Sequence, residues 1–255
     1  MEEEKPKLGE DLTSEPAEKI NEKKAENRDE IKIRQDKIVH FLRRKASWVY
    51  YVVLAFLVYI AVYIRTLNLS KLKDVATGTW TLGPDLDPFL FLRWAKEIAT
   101  TGTLSVIDHM RYSPIGYTTA NETRFLSYLI VWLKDIMSFF SGETSVTYAA
   151  IIYPVVMFIF TTIAFFLFAR KVFYKESKNF RNIAGLIATT LFILIPSLLP
   201  RTIAGIPEKE SAGFGFMFLA FYFFLEAFSS EKNRRGIIFG LLAGFSTALM
   251  WLVWG

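Results

Sequence analysis

The sequence contains no cysteine among its 255 residues and only two histidines, His40 and His109. The absence of cysteine excludes disulfide bonds, thiolate zinc sites and cysteine nucleophiles. Two histidines are too few for a histidine-rich metal site. The sequence also has no phosphate-binding P-loop, no dinucleotide-binding fingerprint and no recognisable Ser/His/Asp arrangement. These absences exclude several common enzyme classes.

Charge divides the sequence into two unlike parts. The chain has 30 basic and 25 acidic residues, and the first 45 residues hold 12 of each, which leaves 18 and 13 for the rest. We predict that 1–45 is a disordered or amphipathic cytoplasmic tail, with its most ordered part at Ile31–Arg44, because it has too few apolar residues to offset chain entropy. It is not a secretory signal peptide, because no apolar region occurs within the first 30 residues.

The rest of the chain, 46–255, contains apolar runs long enough to cross a bilayer. A hydrocarbon core of about 30 Å needs roughly 20 apolar residues in a helix. Overall, 52% of the residues are apolar and 16% are aromatic. We therefore predict an all-α polytopic membrane protein with five spans. The predicted spans are 48–65, 148–169, 182–200, 211–228 and 236–255.

One further apolar segment, 123–140, decides the topology. Its apolar residues recur at helical spacing on one face, but it contains the adjacent charges Lys134 and Asp135. Two central charges would cost several kcal/mol inside the membrane. We therefore predict a surface helix there, within one large external segment, 66–147.

The distribution of basic residues supports this topology. Basic groups lie before the first span, after the second span and after the fourth, and they share the cytoplasmic side only if 123–140 does not cross. The predicted protein is thus a multi-pass membrane protein with its N-terminus in the cytoplasm. The net charge of +5 does not indicate nucleic-acid binding, because its excess lies largely in the loops that orient the spans.

Two acidic groups fall on the same external side in this topology. The first is Asp87, in segment 83–88 after the first span, and the second is Glu208 with Glu210, in segment 201–210 between the third and fourth spans. Proline and glycine favour a non-helical turn in the second segment. In a turn, both glutamates could meet one cation, with Asp87 approaching from the other loop. Carboxylate oxygens suit Mg²⁺ or Mn²⁺.

Simpler interpretations of these residues remain open. Asp87-Pro88 is a good N-cap and first-turn proline for a helix over 89–99. Glu208 and Glu210 also fit the start of the fourth helix, where negative charge complements the dipole. In this alternative Lys209 merely neutralises the two glutamates, and Arg201 anchors the chain at the interface.

Three motifs in order resemble the catalytic subunit of oligosaccharyltransferase, most closely its single-subunit archaeal form. Segment 87–93 resembles the family's first acidic motif, an Asp-Pro-aromatic run that ends in Arg. Segment 108–117 resembles its external-loop motif, with an aromatic-x-Pro-x-Gly ending. Segment 201–210 resembles its second acidic motif, in which an arginine lies seven positions before the first acidic residue, as Arg201 does before Glu208.

The resemblance covers about 45–255 and implies a glycosyltransferase with the GT-C helix-bundle architecture. By similarity, Asp87, Glu208 and Glu210 form the catalytic acidic site and ligate a divalent cation, Mn²⁺ or Mg²⁺, with Arg201 beside them. The cation would act as a Lewis acid on the phosphate leaving group. The implied reaction transfers an oligosaccharide from a polyprenyl phosphate or diphosphate carrier to the asparagine of Asn-x-Ser/Thr in an acceptor protein.

The resemblance also implies a location. The protein would lie in the cell membrane if it is archaeal and in the endoplasmic reticulum membrane if it is eukaryotic, with its active site external. The bilayer, the lipid-linked oligosaccharide and the acceptor protein would be its partners.

The sequence departs from the family in two ways. The second motif has Glu208 where the family usually has aspartate, so metal distances would have to readjust. The family also continues with further spans and a soluble sequon-recognition domain after the position of Gly255. We therefore expect 1–255 to be a truncated chain that is inactive alone. Two other functions compete: another GT-C transferase such as a protein O-mannosyltransferase, or a non-enzymatic transporter or scaffold whose acidic loops bind a cation.

Overall fold

The computed structural model describes residues 47–254 together with Arg34. The chain divides into two compact units, Met1–Tyr51 and Val52–Gly255, and nearly all described residues belong to the second. The predicted tail, 1–45, with its amphipathic helix at Ile31–Arg44, lies outside the described residues apart from Arg34.

The described chain is mostly helical. Its α-helices are α1 (Ser47–Thr66), α2 (Asp87–Thr101), α3 (Phe125–Ser141), α4 (Val146–Val172), α5 (Lys178–Ile193), α6 (Lys209–Phe228) and α7 (Asn233–Trp254). Short 3-10 helices lie at Leu69–Lys71, Thr119–Asn121 and Pro196–Arg201. Two strands, β1 (Ile107–Asp108) and β2 (Tyr117–Thr118), pair antiparallel, with Ile107 opposite Thr118 and Asp108 opposite Tyr117.

Four helices of the described chain are long and apolar enough to cross a membrane. They are α1 with its following 3-10 turn (Trp48–Lys71), α4, α6 and α7. A helix of 20 residues, the length of α6, spans about 30 Å, which matches the hydrocarbon core of a bilayer. These helices coincide with the predicted first, second, fourth and fifth spans, and they confirm the predicted all-α polytopic membrane fold.

The predicted third span, 182–200, differs in form from the other four. Its helix, α5, ends at Ile193 after 16 residues, or about 24 Å, and the chain continues as the 3-10 helix Pro196–Arg201. Pro196 and Pro200 account for this end, since proline lacks the N–H that a continuing helix requires. The number of membrane crossings, and the side on which each loop lies, stay predictions.

The segment predicted to lie at the membrane surface forms the amphipathic helix α3. Leu126, Ile130 and Leu133 are buried on its inner face, where it packs against α2 and α4. Trp132 and Phe140 remain exposed. Lys134 Nζ donates to Asp135 Oδ1 at 2.9 Å on the protein surface. A helix with one packed face and exposed aromatic residues suits a membrane surface.

Close packing of α6 against α4 orients the N-terminus of α6. A Cβ atom on Gly215 of α6 would lie 2.5 Å from Phe160 Cδ1 of α4, so only glycine permits this approach. Thr161 Oγ1 of α4 donates to the carbonyl oxygen of Ser211 at 3.0 Å. The first turn of α6, which follows Glu208, is therefore fixed against the long central helix.

Candidate functional site

Two loops meet at the N-terminal end of α6. The Gly83 N–H donates to the Gly205 carbonyl at 2.8 Å, and the Gly205 N–H donates to the Ile151 carbonyl of α4 at 2.9 Å. Gly205 has φ +86°, and a Cβ there would lie 2.5 Å from Leu72 Cδ1. Glycine is required by both the backbone conformation and the close approach. This contact brings the two predicted acidic segments, 83–88 and 201–210, together.

Arg201 and Glu208 form the central ion pair of this junction. Arg201 Nη1 donates to Glu208 Oε1 at 3.0 Å. The side chain of Glu208 is only 4% exposed, whereas that of Arg201 is 48% exposed. Glu208 precedes α6 in an extended conformation, and its carboxylate makes no capping hydrogen bond to that helix. Capping therefore does not account for Glu208, whose side chain turns to Arg201 instead.

The buried Glu208 carboxylate lies near three other acidic side chains at this junction. Burial raises the pKa of Glu208 to about 7; the nearby charges of Glu210, Asp85 and Asp87 raise it as well, whereas Arg201 lowers it. The predicted residues Asp87, Arg201, Glu208 and Glu210 thus share one electrostatic environment. The junction concentrates negative charge around a buried carboxylate.

Asp87 begins α2, with Pro88 as the next helical residue. The N-cap residue is Leu86, and no side chain caps the helix. The alternative that Asp87 is the N-cap is therefore wrong, because Asp87 is already the first helical residue. Asp87 is exposed, and its carboxylate does not cap the backbone of its own helix.

Asp85 is a member of the junction that the sequence did not single out. Its Oδ2 atom lies 4.0 Å from Arg201 Nη1, so Arg201 faces carboxylates from both loops. The signal was present in the sequence, because Asp85 lies two positions before Asp87 in the same Gly-Pro-rich turn. Only the contact between the loops makes it significant.

Lys209 does not neutralise its glutamate neighbours by ion pairing. Lys209 Nζ instead donates to Glu122 Oε1 at 2.7 Å, and Arg111 Nη1 lies 3.6 Å from Glu122 Oε2. Although burial opposes it, the hydrogen bond and charge of Lys209 hold the pKa of Glu122 below its ordinary value. Glu122, in the segment between α1 and α6, is thereby linked to Lys209 at the start of α6, 87 positions further along the chain.

The motif at 108–117 is anchored by one buried carboxylate. Arg93 Nη1 of α2 donates to Asp108 Oδ1 at 2.7 Å, Arg93 Nη2 donates to Oδ2, and Trp94 Nε1 donates to Oδ2 at 2.9 Å. The hydrogen bond from Arg93 holds the pKa of Asp108 well below its ordinary value. Gly116, which precedes β2, has φ +84°, and a Cβ atom on it would lie 2.6 Å from Ile107 Cγ2.

The donor chemistry at the junction fits a hard divalent cation. The side chains offer carboxylate oxygens, and the buried Glu208 lies among like charges that a cation would offset. Within 47–254 and at Arg34, no three His, Cys, Asp or Glu side chains are grouped closely enough to hold a metal ion. A site with one or two carboxylates still suits Mg²⁺, which keeps several water ligands.

Comparison with known proteins gives one family and one set of relatives. Residues 56–255 match the family described as oligosaccharyl transferase STT3, N-terminal. The chain is 28% identical over 186 residues to the dolichyl-phosphooligosaccharide-protein glycotransferase of Methanococcus voltae. That alignment covers 66% of this chain and 19% of the relative.

Solved structures of the Archaeoglobus fulgidus oligosaccharyltransferase have a similar fold. The complex with Zn and sulfate is 26% identical, with a TM-score of 0.64, and the match covers 79% of this chain and 25% of that one. The complex of the same organism's AglB with an inhibitory peptide and a dolichol-phosphate is 24% identical, with a TM-score of 0.66, over 82% of this chain and 24% of that one. These matches confirm the predicted GT-C membrane fold.

A further structure of the Archaeoglobus fulgidus enzyme carries a tethered acceptor peptide with the NVT sequon. It is 23% identical, with a TM-score of 0.64, and the match covers 82% of this chain and 24% of that one. The chain thus spans about a quarter of the length of these solved chains and about a fifth of the Methanococcus relative.

Proposed function

Because the chain belongs to the oligosaccharyl transferase STT3 family, which it matches over 56–255, we propose that it forms part of a membrane glycosyltransferase. The reaction transfers an oligosaccharide from a polyprenyl phosphate or diphosphate carrier to the asparagine of an Asn-x-Ser/Thr acceptor protein. The membership confirms the resemblance inferred from the three motifs. The observation that carries the proposal is the Arg201–Glu208 ion pair, buried on the Glu208 side and joined to Asp85 of the other loop.

In this proposal, the catalytic carboxylates come from the junction of segments 83–88 and 201–210, which we call the acidic junction. Glu208 and Asp87 would hold a divalent cation, Mn²⁺ or Mg²⁺, with Glu210 in the same acidic site. When bound, the cation supplies Lewis-acid stabilisation of the phosphate leaving group. The related enzyme crystallised with Zn supports a metal in this fold without identifying the ion.

Arg201 is suited to bind the phosphate of the lipid carrier. One nitrogen engages Glu208, and about half of the side chain stays accessible. Guanidinium groups bind phosphate through well-directed, charge-assisted hydrogen bonds. Glu208 holds Arg201 in place, so the phosphate and the acidic site would be kept adjacent.

In this proposal, Asp87 contacts the acceptor asparagine. It is exposed at the N-terminus of α2 and makes no capping bond, so its carboxylate can accept a hydrogen bond from an amide N–H. Holding the amide nitrogen and the anomeric carbon in line lowers the entropic part of the barrier. The proposal places this chemistry on the external side of the cell membrane or the endoplasmic reticulum membrane.

The complete protein, assayed in membranes for transfer to an Asn-x-Thr peptide, tests the proposal. We expect Glu208→Gln and Asp87→Asn each to lower kcat/KM at least a hundredfold, a loss typical of removing a charge-stabilising group. Glu143→Gln is the matched control, because Glu143 is an exposed glutamate remote from the junction in sequence. Normal transfer by Glu208→Gln would refute the assignment.

A further inference from the structure

A second cluster of charge lies at the opposite end of α6 from the acidic junction. Glu226 follows Glu208 by 18 residues, or about 27 Å along a helix. At this end, the C-termini of α4 and α6 meet the N-termini of α5 and α7, because α6 packs against both α4 and α7. Since α6 has the length of a membrane span, the two clusters would lie at opposite membrane surfaces if α6 crosses the bilayer.

The cluster is strongly basic. Segments 170–181 and 226–235 contain eight basic and three acidic residues. The basic residues are Arg170, Lys171, Lys175, Lys178, Arg181, Lys232, Arg234 and Arg235, and the acidic ones are Glu176, Glu226 and Glu231.

The most buried carboxylate in the cluster is already neutralised. Lys171 Nζ lies 3.0 Å from Glu226 Oε1 in an ion pair, and Arg235 Nη2 donates to Glu226 Oε2 at 3.0 Å. Its side chain is 12% exposed. With both oxygens occupied, Glu226 has little capacity left to balance further cations.

Two arginines beside Glu226 lack such a partner. Among the described residues, neither Arg170 nor Arg181 forms an ion pair, and the buried Nε of Arg181 has no hydrogen-bond partner. The only hydrogen bond of the Arg181 guanidinium within 47–254 is a long one, from Nη1 to the Tyr174 carbonyl at 3.4 Å. A buried guanidinium nitrogen without an acceptor is unfavourable unless a ligand supplies one.

The helix ends add to the excess of positive charge. The first turn of α5 contains Lys178 and Arg181, and that of α7 contains Arg234 and Arg235; neither first turn contains an acidic residue. Cations at a helix N-terminus oppose the helix dipole, whereas an anion there is favoured. Orienting the spans requires basic loops, but it does not require basic side chains in the first turns of the helices that follow them.

Two adjoining cavities give an anion access to these groups. A cavity of about 110 Å³ is lined by Leu167, Arg170, Lys171, Arg181, Tyr222 and Glu226. The second, of about 330 Å³, shares Lys171 and Glu226 with the first and extends to Ser229, Lys232 and Arg235. Its volume falls at the lower end of the range of small-molecule sites. We call these two cavities the basic pocket.

We propose that the basic pocket binds a phosphate group. Arg170 and Arg181 supply charged donors in the smaller cavity, and Lys232 and Arg235 supply them in the larger. At a membrane surface this group is carried either by an anionic lipid or by a soluble phosphate ester. The site is separate from the acidic junction and does not depend on the proposed transferase activity.

The surroundings of the basic pocket favour the lipid source. Phe173, Phe180 and Phe228, which border the pocket-lining residues in sequence, are exposed apolar side chains. Phe173 and Phe180 contact each other edge to face, with ring centroids 5.6 Å apart. Acyl chains could pack on these rings while the headgroup enters the pocket, as expected for basic pockets between transmembrane helices.

Binding to the 255-residue chain in neutral detergent tests the proposal. The probes are dioleoylphosphatidylglycerol, dioleoylphosphatidylcholine, whose choline cancels the phosphate charge, and glycerol 3-phosphate. Tryptophan fluorescence titration gives Kd for each. We expect phosphatidylglycerol to bind at least tenfold more tightly than phosphatidylcholine. If glycerol 3-phosphate binds as tightly as phosphatidylglycerol, the source of the phosphate is a soluble ester. If glycerol 3-phosphate binds more weakly, the source is the lipid. Both outcomes support the pocket.

Variants locate the binding. Arg170→Gln and Arg181→Gln should each weaken phosphatidylglycerol binding about tenfold, as expected for loss of a charged hydrogen bond. Lys178→Gln is the control; it removes the same charge from the same helix as Arg181 but lies outside both cavities. It should change Kd less than twofold. Arg181→Lys, which keeps the charge, serves if the glutamine variants fail to fold and should still weaken binding. Unchanged binding in the arginine variants, equal losses in the control, or no preference for phosphatidylglycerol would overturn the proposal.

Discussion

Arg65 Nε donates a hydrogen bond of 2.8 Å to Thr202 Oγ1, which ties the end of α1 to the loop that carries Arg201. The backbone repeats the connection, because the Ala204 N–H donates to the Arg65 carbonyl at 2.9 Å. Arg65 is fully buried, and its guanidinium lies 3.3 Å from the centroid of the Phe158 ring. The buried guanidinium of Arg65 therefore holds in place the loop that carries Arg201.

Removing the Thr202 hydroxyl should weaken this support. We expect Thr202→Val to lower the free energy of unfolding by about 1–3 kcal/mol, because Arg65 Nε then loses its acceptor in a buried site. Thr202→Ser keeps the hydroxyl and should stay close to the wild type. Unfolding in sodium dodecyl sulfate mixed micelles measures both. If the valine variant is as stable as the serine variant, the hydrogen bond has no structural importance.

The Gly205 position offers a test of the loop contact. Gly205→Ala adds a Cβ at a positive φ and 2.5 Å from Leu72 Cδ1. The conformational cost is about 1–2 kcal/mol, and overpacking adds about 1–3 kcal/mol. Gly102→Ala is a matched control, because Gly102 has φ +82° but no atom within 4 Å of a Cβ.

We therefore expect Gly205→Ala to be clearly less stable than Gly102→Ala, and to lower the proposed transferase activity as the two loops separate. Thermal unfolding midpoints in detergent measure the first effect. Equal midpoints for the two variants would mean that the loops yield easily at Gly205.

Hydropathy and charge predicted much of this fold, for reasons that are local. Four of the five predicted spans appear as long helices because some 20 apolar residues in succession have few alternatives. The amphipathic helix α3 was also predictable, because its charges and apolar face lie within one segment. The end of α5 at Ile193 was harder to predict, because the apolar run continues through the prolines that stop the helix.

The candidate site was predictable in its residues more than in its contacts. Asp87, Arg201, Glu208 and Glu210 were proposed from motif spacing and topology, and the charges of Asp87, Arg201 and Glu210 all act on the pKa of Glu208. The partner of Lys209 was not predictable, because Glu122 lies 87 positions away and belongs to no motif. Such pairs depend on how helices pack, and spacing along a single sequence does not contain that information.

The Lys209–Glu122 ion pair should couple the external-loop segment to the start of α6. We expect a double-mutant cycle with Lys209→Gln and Glu122→Gln to give a coupling energy of about 1 kcal/mol, since both side chains are about a quarter exposed. The coupling should decrease in high salt. A cycle with Lys134→Gln and Asp135→Asn, on the exposed face of α3, provides the comparison and should give less. Zero coupling for Lys209 and Glu122 would contradict the observed contact.

Asp108 should make stability depend on acid pH. Its folded pKa is depressed, chiefly by the hydrogen bond from Arg93, so its contribution is fully present above the unfolded value of about 3.9 and is lost as pH falls towards the folded pKa. We expect Asp108→Asn to be about 2 kcal/mol less stable than the wild type at pH 6. That difference should shrink at pH 3, because the carboxyl group of Asp108 then binds a proton in the unfolded wild type and not in the folded one, which favours unfolding. Asp135→Asn, at an exposed carboxylate paired with its neighbour, should show little difference at either pH. A difference for Asp108→Asn that does not change between the two pH values would show that packing, and not the charge, holds this motif.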